Sequence, residues 1–205
     1  MTPDEILEHY RDVQAGLKPT YVRGEPVFNT PENPLYRGWA FKHYLRKPFL
    51  HLTKDMQSVR VLDHGCGKAS YLYDERLTGT LLHREMQGRL QSYYCYDPGY
   101  RPYMTPPSSQ FNVLVSAGVM SVIPEEHIDT TFIEMREWLE PDGIGLFKIP
   151  LTAKAERTFE PSGESVYITV KPPEYWLDKL NNVFRRRYYV TFADNIQEQI
   201  KYKRL

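Results

Sequence analysis

A short apolar run that ends in a glycine-rich turn restricts most strongly what this chain can fold into. Residues 60–62 are Arg, Val and Leu, and they lead directly into Asp63-His64-Gly65-Cys66-Gly67. A β-branched and aliphatic run of this kind is typical of a buried strand, and glycines directly after it allow a tight reversal into a helix, which we predict near residues 70–76. The turn therefore predicts the first strand and helix of a doubly wound sheet.

Strand and helix patterns alternate through the middle of the chain. Apolar runs at residues 92–96, 111–116 and 144–149 predict three more strands. A helix that begins at Pro124 precedes the last of them; its apolar stripe runs to Leu139, and Pro141-Asp142-Gly143 closes it. This alternation favours a mostly parallel sheet with helices on both faces, and we therefore predict an α/β, Rossmann-like fold.

The N-terminal region departs from this alternation. Thr2-Pro3-Asp4-Glu5 is typical of a helix start, and an apolar stripe at Ile6, Tyr10, Val13 and Leu17 follows it. A second helix is predicted over residues 35–45, ended by Pro48. We expect residues 1–55 to form a helical lid or extension on one compact unit of residues 56–205.

The C-terminal region is predicted to add a short strand, a helix and a hairpin. The strand covers residues 166–170, and the helix begins at Pro172 and carries Trp176 on its apolar stripe. Runs at residues 187–193 and 196–202 are joined by Asp194-Asn195, a turn-forming pair, and predict an antiparallel hairpin.

Composition limits the class of protein. The 205 residues fit one domain. The 26 basic residues balance the 26 acidic ones, so the chain has no net positive charge that would attract nucleic acid or an anionic membrane. Apolar runs are far shorter than the roughly 20 residues of a membrane span. Two cysteines and no His-x-x-x-His spacing give no reason to expect a metal site or disulfide framework, and we expect a cytoplasmic protein.

The spacing in the glycine turn separates two ligand classes. A dinucleotide fingerprint needs glycine or alanine at position 70, where this chain has Ser70, so a nicotinamide-dependent oxidoreductase is disfavoured. Asp63 would repel a pyrophosphate but suits a ligand with a positively charged amino group. Asp97, at the end of the next strand, is in the position from which an acid binds ribose hydroxyls. The alternative is that both acids only cap neighbouring turns.

These features resemble the class I methyltransferases that use S-adenosylmethionine. The turn matches their acid-x-glycine-x-glycine pattern, Asp97 their second-strand acid, and Pro141-Asp142-Gly143 the turn before their fifth strand. More narrowly, residues 62–68, 96–99 and 168–180 resemble small methyltransferase-like proteins of bacteria and phages, which implies a bacterial or host cytoplasm. The resemblance implies S-adenosylmethionine as cofactor, bound by Asp63, His64, Gly65, Cys66, Gly67, Asp97, Pro98, Ser116, Ala117 and Gly118.

The resemblance gives these residues roles. Asp63 would hold the amino group of the methionine part, Gly65 and Gly67 would let the cofactor approach, and Asp97 would bind the ribose. Residues 116–118 would line the methionine side. Cys66 is interpreted as a small buried filler rather than a nucleophile.

The acceptor side matches less well. The fourth strand carries Asn112 where the family often has an acid, and residues 162–167 replace a polar motif that related small proteins carry. No general base is identified; Glu164 and Tyr167 are the candidates, because their segment follows the fifth strand. We predict methyl transfer to an unidentified acceptor, with a small molecule favoured over nucleic acid; the alternative is a protein that binds S-adenosylmethionine or S-adenosylhomocysteine without catalysis.

One basic cluster has two interpretations. Arg185-Arg186-Arg187, with Lys201, Lys203 and Arg204 nearby if the hairpin forms, can contact phosphates. The other interpretation is that these residues are charges on an edge strand, where they hinder aggregation with other sheets.

Overall fold

The computed structural model describes residues 3–22, 25–29, 41–67, 86, 88–151, 157–158, 169–192 and 200–204. The strands in these ranges are β1 (Thr20–Val22), β2 (Glu25–Val27), β3 (Val59–His64), β4 (Leu90–Tyr96), β5 (Phe111–Ala117), β6 (Leu139–Ile149), β7 (Arg157–Thr158), β8 (Tyr188–Phe192) and β9 (Ile200–Arg204). The α-helices are α1 (Pro3–Ala15), α2 (Arg46–Leu52), α3 (Ile128–Glu137) and α4 (Pro173–Phe184).

A six-stranded sheet in the order β4-β3-β5-β6-β8-β9 forms the centre of the molecule. The first five strands are parallel, and β9 pairs antiparallel with β8. The chain passes from β3 to β4 on one side and then to β5 on the other, so the direction of winding reverses between β3 and β5. In such sheets ligands bind beyond the carboxyl ends of the strands at this reversal. The Rossmann-like α/β prediction is confirmed.

Both faces of the sheet are covered by apolar layers. Val61 and Leu62 are adjacent in β3 and both fully buried, yet they belong to different cores. Leu62 packs in the layer that contains α3 and α4, whereas Val61 packs in the layer that contains α2. Because side chains alternate along a strand, Asp63 continues the α2 face and His64 the α3 face.

The N-terminal region differs from the prediction in two ways. Residues 35–40 lie outside the described ranges; Phe41–Leu45 form a π-helical turn that leads into α2. Pro48 lies in the first turn of α2, where proline is tolerated, instead of ending a helix. A small antiparallel sheet, β2-β1-β7, was not predicted.

The prediction for the segment between α3 and β6 was wrong in its boundaries. The α-helix ends at Glu137, and Leu139 begins β6 instead of completing the helical stripe. The ladder with β5 shifts between the pairs Phe111↔Leu139 and Val113↔Ile144, so residues 140–143 form a bulge. Arg136 stabilises it by donating hydrogen bonds to the carbonyls of residues 139–141.

The C-terminal predictions are partly confirmed. The antiparallel pair of β8 and β9 is present over the described residues of both strands; residues 193–199, which include the predicted start of the second strand, lie outside the described ranges. Residues 169–170 form no strand, because the amide and hydroxyl of Thr169 donate to the carbonyls of Ser121 and Ile123. The predicted helix at residues 70–76 and residues 166–168 lie outside the described part.

Candidate functional site

The glycine turn after β3 has a backbone that only glycine adopts readily. Gly65 has φ +71° and Gly67 has φ +56°. A Cβ atom at Gly65 would lie 2.2 Å from Cγ2 of Val119, in the loop after β5, so the two loops meet with no room for a side chain. The amides of Gly65 and Cys66 donate to the carbonyl of Tyr96, at 2.8 and 3.3 Å, and thereby fix the turn against the end of β4.

Asp97 links this turn to the next one. Its Oδ2 accepts a hydrogen bond from the amide of Gly67 and its Oδ1 one from the amide of Gly99, both at 2.8 Å. Burial raises the pKa of Asp97, and these two hydrogen bonds oppose the rise. The capping role considered for Asp97 is therefore present. Each carboxylate oxygen still has a second lone pair for a ligand hydroxyl.

Asp63 lies beneath the turn on the α2 face of the sheet. Its side chain is 4% exposed, and its Oδ2 accepts a hydrogen bond from the Tyr93 hydroxyl at 3.2 Å. Burial raises the pKa of Asp63 to about 7; the Tyr93 bond opposes this rise and the charge of Asp97 adds to it. In the described part of the chain no Lys, Arg or His side chain pairs with either acid. Within the described ranges, the two acids therefore form a buried pair with no cationic partner.

His64 faces the opposite side of the sheet. Burial lowers its pKa to about 4, so the imidazole is neutral at physiological pH. Its ring centroid lies 5.7 Å from that of Tyr96 and 6.2 Å from that of Trp138. Among the described residues, Nδ1 of His64 has no hydrogen-bond partner. The three rings therefore form an aromatic surface that includes the neutral Nδ1 of His64.

A cavity of about 370 Å³ lies above these strand ends, within the size range of small-molecule sites. Four of the ten predicted cofactor residues line it, namely His64, Gly65, Asp97 and Pro98. Its other walls come from four parts of the chain: α1 (Tyr10, Arg11), the end of β4 and the turn after it (Tyr96, Gly99), the apolar segment after β5 (Val119, Val122, Ile123, Pro124), and α3 with the residue before it (His127, Thr130, Thr131, Glu134).

The other six predicted cofactor residues lie beside the cavity without lining it. Asp63, Cys66 and Gly67 belong to the turn and strand below it, and Ser116, Ala117 and Gly118 end β5. The neighbouring Cys95 thiol and burial raise the pKa of Cys66, in keeping with a buried filler. Both catalytic candidates, Glu164 and Tyr167, lie outside the described residues, as do Lys68, Ala69 and Ser70.

The sequence predicted a helical lid but not which turns α1 would contact, and it did not predict the role of Tyr93. Helix α1 packs over both turns: a Cβ atom at Gly99 would lie 3.4 Å from Tyr10, and one at Gly67 would lie 3.8 Å from Gln14. The apolar stripe of α1 includes Tyr10 but gives no sign of its partner. Tyr93 was also missed, although its alternation with Cys95 along β4 places both on the face of Asp63.

Comparisons with known proteins found structural likenesses only. No family model and no curated protein sequence matches the chain. PKMT2 from Rickettsia typhi, in complex with AdoHcy, is 18% identical over 43% of this chain and 20% of its own, with a TM-score of 0.27. The DhpI–SAH complex is 12% identical over 95% and 91%, with a TM-score of 0.44. Coclaurine N-methyltransferase, bound to N-methylheliamine and SAH, is 11% identical over 70% and 42%, with a TM-score of 0.32.

The chain thus spans one fifth of PKMT2 and less than half of the coclaurine enzyme. All three TM-scores are below 0.5, so the functional inference rests on the chain's own residues. None of the helices in the described ranges has the length and apolar character needed to cross a membrane. In the same ranges, no three His, Cys, Asp or Glu side chains converge as a metal-ligand group.

Proposed function

We propose that this chain binds S-adenosylmethionine at the glycine turn and transfers its methyl group to an acceptor. One observation carries the proposal: two buried acids, with no cationic partner among the described residues, lie at a turn that has no room for a side chain at Gly65, beside a cavity of about 370 Å³. Buried carboxylates are stable only when paired or hydrogen-bonded. A cationic ligand with hydroxyl groups supplies what this pair lacks.

The proposed roles of the residues follow from where they lie. Asp63 receives the ammonium group of the methionine part, and the free lone pairs of Asp97 accept from the ribose hydroxyls. The left-handed backbone at Gly65 and Gly67 lets the ligand approach the main chain. Tyr96 and the neutral ring of His64 offer apolar faces to the adenine.

When bound there, S-adenosylmethionine supplies a methyl group already activated by its sulfonium. The protein's part is then to hold the acceptor in line with that methyl group and to exclude water, so a general base is needed only for an acceptor that must lose a proton. Glu164 and Tyr167 remain the proposed candidates for that base. The acceptor is proposed to be a small molecule, in keeping with the balanced charge of the chain.

Calorimetric titration with S-adenosylhomocysteine tests the cofactor, and Asp97→Asn tests the site. The variant keeps one oxygen but turns an NH₂ group toward the amide of Gly67 or Gly99, so we expect binding to weaken roughly 10- to 100-fold, the loss of a charge-assisted hydrogen bond. The control is Asp142→Asn, an exposed acid in the β6 bulge that pairs with Arg187, which should bind like wild type. Binding of nicotinamide dinucleotide, with none of S-adenosylhomocysteine, would contradict the proposal.

A second experiment tests the transfer step. S-Adenosylmethionine with an isotope-labelled methyl group is incubated with separate pools of small metabolites, proteins and nucleic acids. We expect labelled product from the small-metabolite pool, lost in Asp97→Asn. Tight binding of the cofactor with no labelled product in any pool would leave a binding protein instead of an enzyme.

A further inference from the structure

Tyr93 is the one hydrogen-bonding side chain that the described residues bring to Asp63. It lies in β4, two residues before the end of the strand, and its hydroxyl donates to Oδ2 of Asp63 at 3.2 Å. We propose that Tyr93 is a positioning residue of the cofactor site: its hydrogen bond orients Asp63 and favours the carboxylate that receives the ligand's ammonium, and the ligand takes the place of a proton on Asp63. This inference rests on the proposed function.

The surroundings of Asp63 give this bond its weight. Among the described residues, the titratable groups around it are Tyr93 and Cys95 of β4, Cys66 of the turn, and Asp97. Toward β5 its register partner is Val115, which carries no charge. On the same face, Lys148 lies two strands away in β6, with its Nζ 5.6 Å from the ring centroid of Tyr44. The Tyr93 hydroxyl therefore donates the hydrogen bond that favours the ionised acid.

The proton balance follows from the charge of the site. Burial brings the pKa of Asp63 to about 7, so without ligand the carboxyl is largely protonated at slightly acidic pH. When an ammonium group binds, the acid ionises, its proton goes to water, and an ion pair forms. Below the pKa, one proton is therefore released for each ligand bound. The Tyr93 bond lowers the free energy of the ionised acid and so sets the pH at which this exchange occurs.

Two ligands separate this proposal from the cofactor assignment. S-Adenosylhomocysteine carries the ammonium group, whereas 5′-methylthioadenosine has the same nucleoside without it. Between about pH 5 and 6, we expect the affinity for S-adenosylhomocysteine to rise up to about tenfold per pH unit, with nearly one proton released per ligand, and both effects to be smaller near pH 7. Affinity for 5′-methylthioadenosine should not rise. Calorimetry in two buffers of different ionisation enthalpy measures both quantities.

The outcomes are distinguishable. If neither ligand binds at any pH, the proposed function fails. If both bind with the same pH dependence and release no proton, the role of Asp63 and Tyr93 fails while the cofactor assignment stands.

Paired variants test Tyr93 itself. In Tyr93→Phe we expect the midpoint pH of proton release to rise by about one unit, because the free energy of one hydrogen bond to a charged group corresponds to a shift of that size. Binding of 5′-methylthioadenosine should be unchanged. Tyr94→Phe is the matched control, because its hydroxyl donates to the carbonyl of Thr105, away from Asp63. A midpoint in Tyr93→Phe equal to that of Tyr94→Phe would overturn the proposal.

Discussion

Gly65 lies so close to Val119 that any side chain at position 65 meets this valine. In Gly65→Ala the new methyl group would lie 2.2 Å from Cγ2 of Val119, on a backbone with φ +71°. We expect a loss of about 2–5 kcal/mol in the free energy of unfolding, the sum of left-handed strain and overpacking. Urea denaturation measures it, and S-adenosylhomocysteine binding should be lost as the turn moves.

A second glycine separates strain from crowding. Gly88 has φ +81°, but a Cβ atom there meets no atom of the described residues within 4 Å, so Gly88→Ala should cost only the strain, about 1–2 kcal/mol. Trimming the valine in Gly65→Ala/Val119→Ala should recover part of the Gly65→Ala loss. Equal losses in the two single glycine variants would show that the close approach contributes nothing.

At the scale of single residues, the sequence predicted positions better than contacts. Asp97 was expected at the end of its strand, because a turn of Asp, Pro and Gly ends the apolar run there. Its bonds to the amides of Gly67 and Gly99 depend on how two turns 30 residues apart approach each other, which no local pattern encodes. For the same reason the Tyr93 bond to Asp63 was missed, since it requires the register between β3 and β4.

Among the elements, α1 packs over both turns of the site and lines its cavity. Its Gln14 is 1% exposed and accepts a hydrogen bond from the side-chain amide of Asn29 at 2.8 Å, which ties the helix to the chain after β2. If α1 is a lid, loosening it should speed the release of ligand. In Gln14→Ala we expect S-adenosylhomocysteine to dissociate roughly 3- to 30-fold faster, since about 1–2 kcal/mol of anchoring is lost.

Stopped-flow displacement measures this rate. Glu8→Ala is the matched control, because Glu8 lies on the exposed side of the same helix. A wild-type dissociation rate in Gln14→Ala, alongside a lower melting temperature, would make α1 a structural brace instead of a lid.

The central strands were predictable because their apolar runs are buried on both faces, which leaves a strong local signal. The β6 bulge was not, because Pro141-Asp142-Gly143 is also typical of a helix end. What places these residues within the strand is Arg136, whose side chain binds the carbonyls of residues 139–141. The sheet of β1, β2 and β7 was missed since its strands have two or three residues each and lack an apolar pattern.

Across the whole molecule, the end of β3 carries two buried titratable groups of opposite character, one on each face of the sheet. Asp63 has a pKa raised from 3.8 to about 7, and His64 one lowered from 6.5 to about 4, in both cases mainly by burial. Both groups are therefore kept uncharged at mildly acidic pH. At that pH neither group adds charge to the empty site, and binding of an ammonium group would ionise Asp63.

This arrangement predicts opposing effects of pH on stability. Between pH 4 and 6.5 folded Asp63 keeps a proton that the unfolded chain has lost, so its contribution to the free energy of unfolding falls as pH rises. In the same range the unfolded chain binds a proton at His64 that the folded one lacks, so that contribution rises. Each slope is at most about 1.4 kcal/mol per pH unit, and in wild type the two largely cancel.

Removing either group should therefore expose the slope of the other. From urea denaturation between about pH 4.5 and 6, we expect the stability of Asp63→Asn to rise with pH relative to wild type, and that of His64→Gln to fall. Asp97, whose pKa burial also raises, is present in all three proteins, so its direct contribution drops out of the differences. The two variants control for each other because their signs differ; slopes of the same sign would mean that one of the two groups is charged within the fold.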